Sequence, residues 1–440
     1  MGEPNRTKTF DVVIIGAGVI GASIALGLSR LGLKTLNVDT LPAAGYGSTS
    51  NSSAIIRPFY SATETCALAH EARCRWLQWP EFLNAEDEAG YAAYSESGML
   101  MLMAEGDEKR FQPSLRAMDE LGIDFEYISA DGLSKRYPGL ELSSFGPPRL
   151  LDDPDFGLAN DQSLTGGYYI PQAGYVNDPQ LATHNLQRAA EALGAVFRFN
   201  TKVTTINESD GCVSGVTINR NENLEAPVVV NVTGPHSSAI NSMAGVSDDM
   251  VVRTRPMRHE VAYVPFSTRS GADHVSCVIG DGDAGVYTRP DTGDKLLIGS
   301  LDPDCDAKEY TDADDYNRAL TEQWTCQVYR AALRIPALPI PNTAQGVVDL
   351  YDSTPDWNPI YDKSSLPGYY MAVGTSGNQF KNAPVVGDLM AKLITDCENG
   401  HDHDSDPVRF YLPALKREID LGFFSRKRSL HTDGSGTVLA

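Results

Sequence analysis

The sequence predicts an α/β protein in which a dinucleotide-binding, Rossmann-like domain carries a second, antiparallel-sheet (α+β) domain. Three observations predict it. Residues 11–21, Asp-Val-Val-Ile-Ile-Gly-Ala-Gly-Val-Ile-Gly, run four β-branched residues into a GxGxxG turn, as a strand buried on both faces does before a helix. Segments of β-α-β character occur near the N-terminus, in the middle and near the C-terminus. Meander-like segments of antiparallel character lie between them.

In the first unit Gly16 permits the tight turn, Gly18 brings the backbone close to a pyrophosphate, and Gly21 lets helix pack on strand. Val19 and Ile20 open that helix, whose free N–H groups and dipole favour phosphate. Residues 23–31 continue it, Gly32 closes it, and residues 33–38 form a strand ending at Asp39. That acid stands about 20 residues after the glycines, where a carboxylate holds an adenosine ribose. A turn-rich connection follows. Ser48, Thr49, Ser50, Asn51, Ser52 and Ser53 then read either as an ordinary loop or as a hydroxyl- and amide-rich loop that wraps the phosphates and feeds Arg57 into a site.

Helices are expected over 63–82 and 111–121, and a strand over 94–103. Residues 124–164, rich in Pro, Asp, Ser and Gly, read as an irregular excursion and part of an access loop. Strand character returns at 166–171. Asn177-Asp178-Pro179 starts a helix over 178–193, and strands follow at 195–199, 213–218 and 228–232. The last runs into Thr233-Gly234-Pro235, a strand-end turn suited to a ligand. Antiparallel strands are expected over 251–300, a helix over 310–331, and buried strands at 347–351 and 369–373. Gly374-Thr375-Ser376-Gly377 leads into a helix over 383–394, and the polar chain from Lys416 is expected to lie loosely on the surface. The dinucleotide domain is thus assembled from 8–84, 165–250 and 341–405, the second domain from 85–164 and 251–340, and 406–440 is a C-terminal tail.

Composition narrows the function. The 36 basic and 58 acidic residues give a net charge of −22, which repels nucleic acid and anionic membranes. The apolar stretch 12–33 is broken by five glycines and lacks the basic flank and cleavage site of a secretory signal, so the expected location is cytoplasmic. Seven cysteines without CxxC spacing are expected to be free thiols, and no metal is expected. His401-Asp402-His403-Asp404 resembles a ligand cluster but follows a helix in polar sequence, where a solvated loop is the simpler reading.

Six segments in order resemble the D-amino-acid oxidase superfamily, in the branch of sarcosine oxidase, dimethylglycine dehydrogenase and glycine oxidase: GAGVIGASIALGLSRLG, SNSSAIIRPFY, GGYYIPQAGYVNDPQL, VNVTGP, LYDSTPDWNPI and GYYMAVGTSGNQFKNAPVVGDLMA. The resemblance spans most of residues 10–395 and makes the dinucleotide FAD and the second domain the substrate domain. It implies that Gly16, Gly18, Val19, Ile20, Gly21 and Asp39 hold the ADP half. It places Ser48 to Ser53, Val203, Thr233, Gly234, Gly374, Thr375, Ser376, Gly377 and Lys381 along the rest of the cofactor. Arg57 and Lys381 match the pair that grips the substrate carboxylate, a task suited to a bidentate guanidinium beside a point charge. Tyr287 matches an active-site tyrosine, though packing explains it as well. His259 lies on a strand bordering the substrate cavity, where a structural histidine fits equally.

Three departures from that family stand out. Asp349 falls where monomeric sarcosine oxidase has its flavin-bonded cysteine, and residues 48–53 hold no histidine, so FAD is expected to be non-covalent. A hydrophobic residue near Leu297 replaces the oxygen-activating lysine, with Lys295 two positions back, leaving oxygen or another electron acceptor open. Ala54 replaces a second arginine, which predicts a roomier pocket. The expected activity is FAD-dependent oxidation of a small, N-methylated amino acid by hydride transfer to flavin N5 and hydrolysis of the imine. The alternatives are a D-amino-acid or glycine deaminating oxidase and a flavin-bearing subunit of a hetero-oligomeric dehydrogenase. A polyol phosphate dehydrogenase, which would want more cations, is more distant. The oligomeric state is open.

Overall fold

The computed structural model describes residues 9–219, 221–267 and 276–431. Six strands form one sheet in the order Ile360–Lys363, Tyr369–Val373, Val228–Asn231, Val12–Ile15, Thr35–Val38, Val196–Arg198. All neighbours are parallel except the first pair. Val12, Ile14, Val228 and Val230 share one core with residues of the helices Val19–Arg30, Pro179–Ala192 and Ala383–Glu398. Their sequence neighbours Val13, Ile15 and Val229 face the other way, against Val216, Ile218 and Leu224 of a three-stranded ribbon. Both faces are covered, which is why these strands are unbroken apolar runs. Gly27 and Gly387 set the crossing of the first and last of those helices, since a Cβ on Gly27 would run into the Gly387 backbone.

The second sheet has eight strands in the order Gly346–Ser353, Arg255–Pro265, Lys295–Ser300, Val286–Asp291, Val278–Asp281, Met99–Met103, Gly166–Ile170, Glu126–Ser129. Only Val278–Asp281 and Met99–Met103 are parallel neighbours. One face packs on the helix Glu322–Arg334 through Ala262, Ile298, Trp324 and Val328. The other packs Met99, Met101, Val278 and Tyr287 against Phe59, Tyr60 and Cys66. That second contact joins the antiparallel sheet to the segment carrying Arg57.

Several elements differ from expectation. The strands at 166–171 and 347–351, expected in the dinucleotide unit, pair into the eight-stranded sheet instead. An apolar run says that a strand is buried, not which sheet buries it. Residues 124–164 contain a strand, Glu126–Ser129, and a helix, Ala130–Arg136, before becoming irregular. Of the helix expected over 310–331 only Glu322–Arg334 forms, because Thr321 caps it, accepting from Gln323 N at 3.3 Å.

The tail does not lie loosely. Arg409–Leu412 and Arg417–Asp420 form a hairpin, Leu421 and Phe424 are buried, and the inaccessible Arg426 side chain pairs with Asp249, Asp362 and Asp404 at 2.6–3.0 Å. Polarity suggested solvation, but three carboxylates compensate one buried guanidinium. The loop expected over 401–404 forms with Asp402 and Asp404 exposed, but His403 is buried, with Nδ1 accepting from Val408 N at 3.0 Å. Residues 432–440 of the expected tail lie outside the described residues. Among the described residues no helix is long and apolar enough to cross a membrane.

Candidate active site

The strand Val12–Ile15 ends at Gly16, whose φ of +119° suits glycine and whose Cβ, if present, would lie 2.5 Å from Val232 O. Asn37, fully buried, donates to Gly16 O and Gly21 O at 3.1 Å each and holds the glycine loop from below. Ala17 N donates to Asp39 Oδ2 at 2.7 Å, and Leu41 N to Asp39 Oδ1 at 2.9 Å. Val19 N donates to Thr49 Oγ1 at 3.2 Å, which brings residues 48–53 to the helix start. Ile20 is buried in the helix-side core. This helix N-terminus with an acid at its rim suits a dinucleotide, and only glycine fits at 16 and 21, where a side chain would collide with the protein's own backbone. Val203 is buried between ribbon and sheet. Thr233 leaves the adjacent strand with N and Oγ1 both donating to Asn231 Oδ1, and Gly234 follows.

Across the sheet, Gly374 and Gly377 adopt φ near +70° and enclose Thr375 and Ser376 in the turn. Asp352 fixes it: Gly374 N donates to its carboxylate at 2.6 Å, Ser376 N donates to its carbonyl at 2.9 Å, and Ser237 Oγ donates to the carboxylate at 2.8 Å. Burial pushes the Asp352 carboxyl up to about 6.

Arg57 and Lys381 meet over Tyr60. The guanidinium lies 4.2 Å from the ring centroid and donates to Phe59 O; the ammonium lies 5.0 Å from the same centroid and donates to Tyr60 Oη and Asn378 O. All three side chains are buried. Burial, and then the Arg57 charge, hold Lys381 well below the usual lysine range. Among the described residues no carboxylate pairs with Lys381, so an anion brought beside it would favour its charged form. Trp76 Nε1 donates to Lys381 O at 2.7 Å and stacks on Phe380, fixing the segment that carries the lysine.

From the antiparallel sheet, Tyr287 rises over Gly299, where a Cβ would strike its ring, and its hydroxyl lies 2.8 Å from Ser53 Oγ. His259 stacks on Tyr351 with centroids 4.0 Å apart. Tyr351 in turn covers Gly377, where a Cβ would meet its ring. Asp349 pairs in register with His259 and accepts from Ser48 Oγ at 3.0 Å and Asn51 Nδ2 at 2.6 Å. The structure thus gathers Ser48, Asn51, Ser53, His259, Tyr287 and Gly377 along one seam between the sheets, while Ser50 and Ser52 bond within their own loop.

One departure resolves differently from expectation and another keeps its place. Ala54, at φ +48°, is buried in the helix-side core with Ile56, so its small side chain fills core space rather than enlarging a pocket. Leu297 is buried opposite Arg289, and Lys295 begins the same strand opposite Asp291. Sequence reasoning missed Asn37, Tyr60, Tyr351 and Asp352. Tyr351 alone had a signal, standing two residues from Asp349 and therefore on the same face of one strand.

A family model described as "FAD dependent oxidoreductase" matches residues 11–393. The sarcosine oxidase subunit beta of Rhodobacter capsulatus is 24% identical over 396 residues, 89% of this chain and 86% of that protein. A monomeric sarcosine oxidase of Bacillus sp. is 23% identical over 427 residues, covering 93% and 98%. The solved structure of glycine oxidase from Geobacillus kaustophilus superposes with a TM-score of 0.73 at 20% identity, covering 97% of this chain and all of that one.

Proposed function

The chain belongs to the family of FAD-dependent oxidoreductases whose model spans it, and from that membership we propose that it oxidises a small N-methylated amino acid. The pairing of buried Arg57 and Lys381 over Tyr60 carries this reading. A carboxylate entering there gains a bidentate guanidinium and an ammonium in a low-dielectric setting, where such pairing is strongest. The names of the sarcosine-oxidising relatives support the N-methyl amine as the oxidised group.

When bound, FAD would supply the two-electron acceptor for the hydride the substrate gives up. The chain's residues do the rest. Gly16 to Gly21 and Asp39 would hold the ADP half. The Gly374–Gly377 turn, fixed by the bonds of Gly374 N and Ser376 N to Asp352, would border the flavin ring. Arg57 and Lys381 clamp the carboxylate so that the N-methyl carbon is held in near-attack geometry. Phe59, Met99, Met101 and Tyr287 pack in one buried apolar cluster with Tyr60, which keeps water from the clamp. Water then hydrolyses the released imine to formaldehyde and the demethylated amino acid. Asp349 stands in place of a nucleophilic cysteine and is engaged by Ser48 and Asn51, so the flavin is held without a covalent bond; acid precipitation is expected to release all of it into the supernatant.

The test is the visible spectrum of the purified protein under anaerobic conditions during addition of sarcosine, dimethylglycine, proline, glycine and D-alanine. Bleaching by the N-methyl compounds supports the proposal, and recolouring in air identifies oxygen as the acceptor. Bleaching by glycine or D-alanine alone would replace it with deamination.

A further inference from the structure

Successive residues of the strand Val286–Asp291 point to opposite faces of the eight-stranded sheet. Val286 packs toward the helix Glu322–Arg334. Tyr287 and, two residues on, Arg289 therefore share the other face, where the Tyr287 hydroxyl meets Ser53. The Arg289 guanidinium lies 4.5 Å from the ring centroid of Tyr175. Tyr175 pairs in register with Ile55, on the short strand that leads into Arg57. A further cation is thus enclosed between the antiparallel sheet and the segment carrying the clamp, about 7 Å along the strand from Tyr287.

Its surroundings differ from those of the arginines buried on the helix side of the same sheet. Arg258 lies 2.7 Å from Glu260 and donates to Asn317 O and Ala319 O, and Arg334 is held by Asp281 at 2.7 Å and Asp283 at 2.9 Å. Arg289 is 3% exposed, yet it meets only Asp291, at 3.1 Å and itself partly exposed at the strand end, among the carboxylates of the described residues. Nη1 donates to Pro290 O at 3.1 Å. The Nε–H is shut off from solvent and has no hydrogen-bond partner among the described residues. A charged donor buried and left open is costly, and such a group calls for a partner. Burial pulls the guanidinium below the usual arginine range, and Asp291 opposes that pull only in part.

We propose that Arg289 binds a second carboxylate at the far end of the substrate, which makes the preferred substrate an N-methylated amino dicarboxylic acid. The assignment deepens the amino-acid reading above and rests on it. The α-carboxylate goes to Arg57 and Lys381, and the side-chain carboxylate accepts from the open Nε–H of Arg289 in a charge-assisted bond. Tyr175 covers one face of the guanidinium and leaves its edge to the anion. Cations at two ends select for length as well as charge. A neutral side chain is disfavoured because it leaves the Nε–H buried and open.

The experiment uses FAD-loaded wild-type, Arg289→Gln and Arg289→Lys proteins. Anaerobic flavin bleaching is compared for racemic N-methylalanine, N-methylaspartate and N-methylglutamate. Displacement of the flavin band by acetate, succinate and glutarate gives dissociation constants without turnover. The wild type should favour one of the diacids over N-methylalanine, and one of the dicarboxylates over acetate, by at least about 30-fold, the lower end for a buried charge pair. Arg289→Gln should remove both preferences, and Arg289→Lys, which keeps the charge but loses the fork, should restore part of them. A wild type without these preferences, or preferences that survive in Arg289→Gln, overturns the proposal. Should Arg289→Gln not fold, the wild-type ratios and Arg289→Lys decide. If no amine bleaches the wild type, the amino-acid reading fails on its own, and the dicarboxylate constants still decide the Arg289 site.

Discussion

The dinucleotide cradle and the face opposite it are made by different means. The cradle is backbone: glycines, helix N–H groups and one carboxylate, brought together over residues 12–39 with Thr49 added. The opposite face is side chains: two cations, three tyrosines and a histidine, delivered by segments near 57, 259, 287, 351 and 381. A backbone site tolerates no added atoms but is indifferent to most neighbouring side chains. A side-chain site can lose one member and keep its frame.

The largest expected effect breaks the cradle. Gly16→Val places a branched side chain at φ +119° against Val232 O, adding clash to roughly 1–3 kcal/mol of backbone strain. The protein should purify colourless, with FAD affinity reduced at least 100-fold by fluorescence titration. A yellow variant of normal affinity would mean that phosphates do not sit there. Arg57→Met should do the converse, keeping the flavin while weakening substrate capture by about 2–5 kcal/mol, the range for truncating one partner of a buried charge pair. Flavin loss with unchanged amine affinity would assign Arg57 to the cofactor.

The third effect sits where the two regions join. Asp352 ties the Gly374 turn to Ser237 with its carboxyl raised to about 6. Unfolded, an aspartate holds its proton only to about pH 4. Between those values the folded state binds more protons than the unfolded, so stability falls as pH rises from 4 to 6 and the whole cost remains above 6. Asp352→Asn lacks that step. Urea melts at pH 4.5 and 7.5 should therefore show the wild type losing about 1–3 kcal/mol relative to the variant; parallel behaviour would mean that the carboxylate is not destabilised.

The same contrast decides what was legible. Gly16, Gly18, Gly21 and Asp39 were readable because a cradle of backbone imposes glycines at fixed spacing within one unit. Tyr287 and Lys381 became readable only through resemblance, and Arg57, which the loop over 48–53 already led toward a site, gained its clamp role the same way, since nothing local distinguishes a clamp arginine from a surface one. Asn37 and Asp352 left no trace: a polar residue inside an apolar strand looks like a flaw until the loop it satisfies is in place. Arg426 misled for the same reason, because its three carboxylates come from 249, 362 and 404. Sheet membership was lost at 166–170 and 346–353, where burial is the same in either sheet.

The smallest effect tests the seam itself. The Tyr287 hydroxyl lies 2.8 Å from Ser53 Oγ and joins the antiparallel sheet to the loop after the cradle, beside the bonds from Ser48 and Asn51 to Asp349. Tyr287→Phe keeps the ring over Gly299, so packing is preserved and only the bond is lost, worth about 0.5–1.5 kcal/mol. Loss of the phenol frees Ser53 to turn toward the cofactor. The variant should therefore melt slightly lower and show a small displacement of the flavin absorbance band, with the affinity for a carboxylate inhibitor held by Arg57 and Lys381 unchanged. A variant that instead keeps its stability and flavin band while losing inhibitor affinity would show that the hydroxyl belongs to the substrate, and that the two regions touch through the ligand rather than through Ser53.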